Sequence, residues 1–107
     1  MSLSDEEVAF VRELFSGLGD VSTRRMFGGI GIYHDSTIFA LMRSDGVLML
    51  KGAGDFAGVL EAEGCERWTH TRKDGSASAM PYWTLPDAAL DDPEVACDWA
   101  RRSLAHL

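Results

Sequence analysis

Met26-Phe27-Gly28-Gly29-Ile30-Gly31-Ile32-Tyr33-His34-Asp35-Ser36-Thr37-Ile38-Phe39-Ala40-Leu41-Met42 is the stretch on which the fold turns. Met26, Ile30 and Ile32 fall on one side of a period-two pattern, and Phe27 and Tyr33 fall on the other. Gly28, Gly29 and Gly31 interrupt that strand, which marks a bulge or a close approach of another backbone. Asp35-Ser36 supplies a tight turn, and Thr37–Met42 reads as the returning strand. Ser44-Asp45-Gly46 is a hairpin signal, and Val47–Lys51 follows as a third strand. These strands carry apolar residues on both faces: Ile38, Ala40 and Met42 against Phe39 and Leu41, then Val47 and Met49 against Leu48 and Leu50. A half-exposed antiparallel sheet alternates apolar with polar residues. Either helices cover both faces of this sheet, or a second subunit covers one.

Toward the N-terminus, Ser4-Asp5-Glu6-Glu7 is a capping box, in which the serine hydroxyl and the glutamate three residues on satisfy each other's backbone amides. Val8, Val11, Leu14, Phe15 and Leu18 recur at helical spacing, so residues 5–17 read as an amphipathic helix ended by Gly17 and Gly19. Toward the C-terminus, Asp55 caps a short helix with Phe56, Val59 and Leu60 on its apolar face and Gly64 at its stop. Arg67–Arg72 alternates as a fourth strand, and residues 79–85 as a fifth. Pro81 has no amide to donate, which predicts an edge position for that strand. Asp92-Pro93-Glu94 opens a last helix, with proline at its favoured first position. The order α-β-β-β-α-β-β-α, with hairpin-linked strands between helices, predicts a two-layer α+β fold with a five-stranded, mainly antiparallel sheet. At 107 residues the chain fits one domain spanning 1–107.

Ten Lys and Arg oppose seventeen Asp and Glu, a net charge of −7. Residues 1–22 and 74–107 each carry −4, while residues 23–73 carry +1. A surface of this sign repels phosphate backbones at long range, which argues against sequence-independent nucleic-acid binding. No apolar run approaches the ~20 residues that span a bilayer, and a soluble, cytoplasmic, non-membrane protein is the expectation. Cys65 and Cys97 are too far apart in sequence for a paired metal motif and read as small buried hydrophobes. His34, His70 and His106 stand apart from each other and from the cysteines. No metal, cofactor or catalytic site is expected, and His34, His70, Cys65 and Cys97 are not expected to converge. Gly28-Gly29-Ile30-Gly31 lacks the spacing of a phosphate-binding loop and precedes a strand rather than a helix.

Two features invite a binding role instead. Arg24-Arg25 stands beside an apolar, aromatic strand, and Tyr82-Trp83 must point to opposite faces of theirs. Trp68 and Trp99 read as core.

Arg25-Met26-Phe27-Gly28-Gly29-Ile30-Gly31-Ile32-Tyr33 resembles the opening signature of the TfoX/Sxy N-terminal domain family, regulators of competence-specific genes. The signature positions are Arg25, Met26, Phe27, Gly28, Gly29, Gly31 and Tyr33. Phe39-Ala40-Leu41, Leu48-Met49-Leu50-Lys51, Met80–Pro86, Leu90–Glu94 and Trp99 continue the resemblance over residues 5–105. It implies an α+β fold similar to that of secretion chaperones, no enzymatic activity and no catalytic residues. It also implies a regulatory link to natural transformation, exercised together with another transcription factor, and a C-terminal domain in the better-known members.

Residues and resemblance together predict a non-enzymatic regulatory or protein-interaction module. Arg24, Arg25, Phe27, Tyr33, Tyr82 and Trp83 are its expected contact residues, with arginines steering a partner and aromatics anchoring it. The alternatives are a nucleic-acid-binding regulator acting with a partner, or a small-ligand-binding protein. A homodimer closing the uncovered sheet face is expected, since twofold pairs are the commonest oligomers.

Overall fold

In the computed structural model, which describes residues 3–26 and 28–107, Ser4 starts the first helix as its sequence requires. The Ser4 hydroxyl accepts from the Glu7 amide at 3.3 Å, and the Glu7 carboxylate accepts from the Ser4 amide at 3.1 Å. Helix α1 (Asp5–Leu14) stops short of residue 17, and a 3-10 turn over Ser16–Leu18 follows. Val11, Leu14 and Phe15 are its buried face.

Six strands follow, one more than the pattern predicts. They are β1 (Val21–Met26), β2 (Gly29–His34), β3 (Thr37–Met42), β4 (Leu48–Lys51), β5 (Arg67–Thr71) and β6 (Ala77–Thr84). They form one antiparallel sheet in the order β1-β2-β3-β4-β6-β5. The missed element is β1. Its sequence, Val-Ser-Thr-Arg-Arg-Met, is an exposed edge with little apolar patterning. The stretch read as one interrupted strand is a hairpin, with Gly28 at φ +80° between β1 and β2. Glycine reaches that left-handed backbone without the steric cost other residues meet.

The bulge lies elsewhere. Ile32 pairs with Ala40 but Tyr33 pairs with Ile38, so Phe39 is an extra residue in β3. The bulge turns Phe39 to the same side as Ala40 and Met42, where its ring meets Phe15 edge-on at 5.2 Å. The simple alternation of β3 is thereby broken.

Strand β6 is not an edge strand. Tyr82–Thr84 lie between β4 and β5. Pro81 is tolerated because β4 pairing ends at Lys51–Tyr82, and the β5 register shifts beside it, between Arg67 and Thr69. No ladder bond there requires a proline amide, whereas its carbonyl accepts from the Gly52 amide at 3.0 Å.

Helices α2 (Asp55–Ala62) and α3 (Pro93–Leu104) complete the second layer. Asp55 is the first residue of α2 rather than its cap, which is Gly54. Asp92 caps α3 as predicted, its carboxylate accepting from the Glu94 and Val95 amides at 3.1 and 3.4 Å. Buried Ser103 donates to the Lys51 carbonyl at 2.6 Å and ties α3 to β4. All three helices pack on one side, against Ile30, Ile32, Phe39, Leu48, Leu50 and Trp83. The fold is therefore two-layer α+β, and the helices leave the other sheet face uncovered. No helix among the described residues is long and apolar enough to cross a membrane.

Candidate functional site

Strand register decides which side chains share the uncovered face. Leu41 lies opposite Met49, Met49 opposite Thr84, and Lys51 opposite Tyr82. Arg24 lies opposite Gly31 on the same face, beside Tyr33. An alanine Cβ at Gly31 would sit 2.8 Å from the Met26 sulfur and 3.1 Å from Ile38 and Tyr33, so the missing side chain makes room for these three. Gly29 is tighter still, since a Cβ there would run into the Met42 carbonyl oxygen.

The sheet is curled. Strands β1 and β5 are its two edges, yet Met26 of β1 and His70 of β5 line the same groove. This groove of about 780 Å³ is lined mainly by apolar side chains, among them Met26, Leu41, Met80, Tyr82 and Trp68. Arg43, Ser44 and Asp45 also line it. The curl buries much of the face without help from any helix: Met49 is 1% exposed and Tyr82 8%. Methionine suits a surface that adapts to its occupant, because its unbranched thioether repacks at little cost.

The charges on this face are ordered. The Arg43 guanidinium lies 5.7 Å from the centre of the Trp68 ring and holds Asp45 through bonds of 3.1 and 2.7 Å. That hydrogen bond, above all, keeps the Asp45 carboxyl below the usual carboxylate range. Arg24 lies 5.6 Å over the Tyr33 ring. Burial, and then nearby Tyr33, push the Tyr82 phenol above its ordinary value. None of the seventeen acidic residues lies in a strand, whereas Arg24, Arg25, Lys51 and Arg67 do.

The structure separates the residues singled out from sequence. Arg24 is on the uncovered face with Tyr33. Arg25 turns the other way, donating to the Leu3 carbonyl at 2.9 Å and to Asp5 at 3.2 Å. Phe27 lies outside the described residues. Tyr82 lines the groove, and Trp83 is buried in the core beneath Arg67, which stacks 4.6 Å from its ring. Trp68, read as core from sequence, belongs to the groove with His70 and Met80. Its alternation with His70 along β5 puts both on one face, but sequence alone does not say which.

The remaining candidates for chemistry sit in different places. His34 Nδ1 is 2.9 Å from the Gly19 carbonyl oxygen. The buried Cys97 thiol points at the Leu14 carbonyl at 3.6 Å. Cys65 lines a second groove of about 610 Å³ with Phe10, Leu90, Glu63, Glu66 and Asp87. Burial first, then Glu63 and Asp87, raise its thiol pKa, which disfavours the thiolate a nucleophile needs. Among the described residues, no three His, Cys, Asp or Glu side chains gather closely enough to hold a metal ion.

The TfoX N-terminal domain model matches residues 13–107, which takes in all six strands and both later helices. The chain belongs to the TfoX N-terminal domain family. The DNA transformation protein TfoX1 of Aliivibrio fischeri is 32% identical over 77 residues, covering 68% of this chain and 36% of that protein. The DNA transformation protein TfoX of Haemophilus influenzae is 33% identical over 92 residues, covering 84% of this chain and 42% of that protein. The chain thus spans less than half the length of these TfoX relatives. The family match includes every residue that lines the groove, so the uncovered face is part of the TfoX N-terminal fold rather than an addition to it.

Proposed function

We propose that this TfoX N-terminal domain is a non-enzymatic regulatory module that acts by binding another protein through the uncovered face of its sheet. The observation that carries the reading is the curled, methionine- and aromatic-lined groove, whose rim holds arginines stacked on aromatic rings. Apolar anchors surrounded by polar groups are how protein-binding surfaces concentrate their energy. The names of the relatives support a role in DNA transformation; its place in the cytoplasm and a partner such as a transcription factor are part of the proposal. The acidic charge of the chain speaks against the domain reading DNA by itself.

A pull-down from host lysate tests the reading with wild type, Met80→Asp and Trp68→Ala. Partner proteins held by wild type should be lost from both variants, whose circular dichroism and melting should show them folded. Identical partner profiles would overturn the assignment of this face.

A further inference from the structure

We infer that the partner segment which fits this face is an acidic amphipathic helix, with large aliphatic or aromatic anchors on one side and Asp or Glu flanking them. The inference rests on the proposed interaction role and names the chemistry of its partner.

The groove supplies the apolar half of the match. Met26, Leu41, Met80 and Trp68 line a volume of about 780 Å³, large enough to take several side chains of a helix at i, i+3, i+4 and i+7. The charge pattern supplies the other half. Arg24, Lys51 and His70 lie on this face, and none of them is in an ion pair among the described residues. Asp45 is the one acid lining the groove, and Arg43 already engages it through two hydrogen bonds. A docking segment therefore meets open cations and no open carboxylate.

The net charge of −7 does not cancel this. Eight of the seventeen acids are in α1, α2 and α3 on the far layer, packed layers are separated by about 10 Å, and of the remaining nine only Asp45 lines the groove. At physiological salt the Debye length is about 8 Å, so a docked segment responds mainly to the charges under it.

The same geometry disfavours other occupants. Single-stranded nucleic acid would need bare aromatic faces on which bases stack. Here Arg24 covers Tyr33, Arg43 covers Trp68, and Tyr82 is 8% exposed. A second copy joined face to face about a twofold would set the Arg24 and Lys51 cations of one chain toward those of the other.

Fluorescence anisotropy of the whole chain against labelled synthetic probes tests the inference. The probes are a helix-forming peptide with Leu at i, i+3, i+4 and i+7 and Glu elsewhere, its counterpart with Lys for Glu, and oligothymidine. The acidic peptide should bind best, with the Lys counterpart at least about tenfold weaker. The doubly substituted Arg24→Glu/Lys51→Glu chain should lose about tenfold in affinity for the acidic peptide, and raised salt should weaken the wild-type complex. Met80→Asp should abolish binding while circular dichroism shows it folded. Equal or tighter binding of the Lys peptide, preference for oligothymidine, or binding of none of the probes would overturn the inference. So would a wild-type dimer by light scattering that Met80→Asp dissociates, because the face would then be occupied by a second copy. If lysate partners are lost from Met80→Asp but the acidic peptide does not bind, the partner chemistry is wrong and the interaction role stands. If neither assay responds to the variants, both readings fall.

Discussion

Gly29 and Gly31 are two residues apart on one strand, and substitution separates their roles. A Cβ at Gly29 would meet the Met42 carbonyl, which cannot move without the sheet. Gly29→Ala should therefore destabilise by about 3 kcal/mol, at the upper end of overpacking costs. At Gly31 the nearest atom is the Met26 sulfur, the far end of a flexible side chain. Gly31→Ala should cost about 1 kcal/mol and be felt chiefly as a displaced Met26 in the groove. Urea denaturation of the two variants checks the ranking, and equal losses would show that the strand relaxes. Tyr82 gives a prediction in pH. Its phenol titrates above the ordinary value near 10 because burial favours the neutral form. A raised folded-state value contributes stability that is intact below the unfolded pKa and is lost as pH rises through the folded one. Above about pH 10, wild type should lose stability faster than Tyr82→Phe. Parallel losses in melts across that range would show that the phenol ionises as freely folded as unfolded.

The helices were legible because their signals are local. The Ser4–Glu7 capping box and the Asp92-Pro93 start of α3 both form as read. Asp92→Ala should cost about 1 kcal/mol, since two α3 amides lose their acceptor. For a chain of this size that lowers the melting temperature by roughly 4–8 °C, which calorimetry would resolve. Strand β1 was illegible for the opposite reason. An exposed edge strand needs no apolar alternation, and its pairing with β2 comes from the Gly28 turn. The bulge at Phe39 was hidden because it depends on which face the helices occupy. A fully buried Phe39 against Phe15 outweighs the regular alternation of β3. Pro81 was misleading because the rule against interior proline assumes an unbroken ladder, and the ladder is broken there on both sides.

For the molecule as a whole, acids are kept out of the sheet. The strands hold cations and no acids, while helices, turns and loops carry the acids. This division predicts that duplex DNA at micromolar protein and ~0.15 M salt shows no mobility shift, because the strand cations are too few to make the several phosphate contacts that non-specific duplex binding requires. A clear shift that fades with added salt would restore direct DNA binding. The curl of the sheet makes the groove, and it forms only once the β5–β6 hairpin is paired to β4.

Period-two patterning, caps and turn glycines determined the α+β class, three helices and most of the strands, because each depends on residues within a few positions of one another. The run Arg25–Tyr33 also carried the family. Which face stayed uncovered was settled only by packing. Apolar residues occupy both sides of β2–β4, so the choice rests on where three helices find room together. The candidate site has the same dependence. Arg24 and Arg25 are neighbours in sequence, but the pleat sends one to the uncovered face over Tyr33 and the other to Leu3 and Asp5. Trp68 and Met26 are distant in sequence and on opposite edge strands, and the twist of the sheet brings them to one surface.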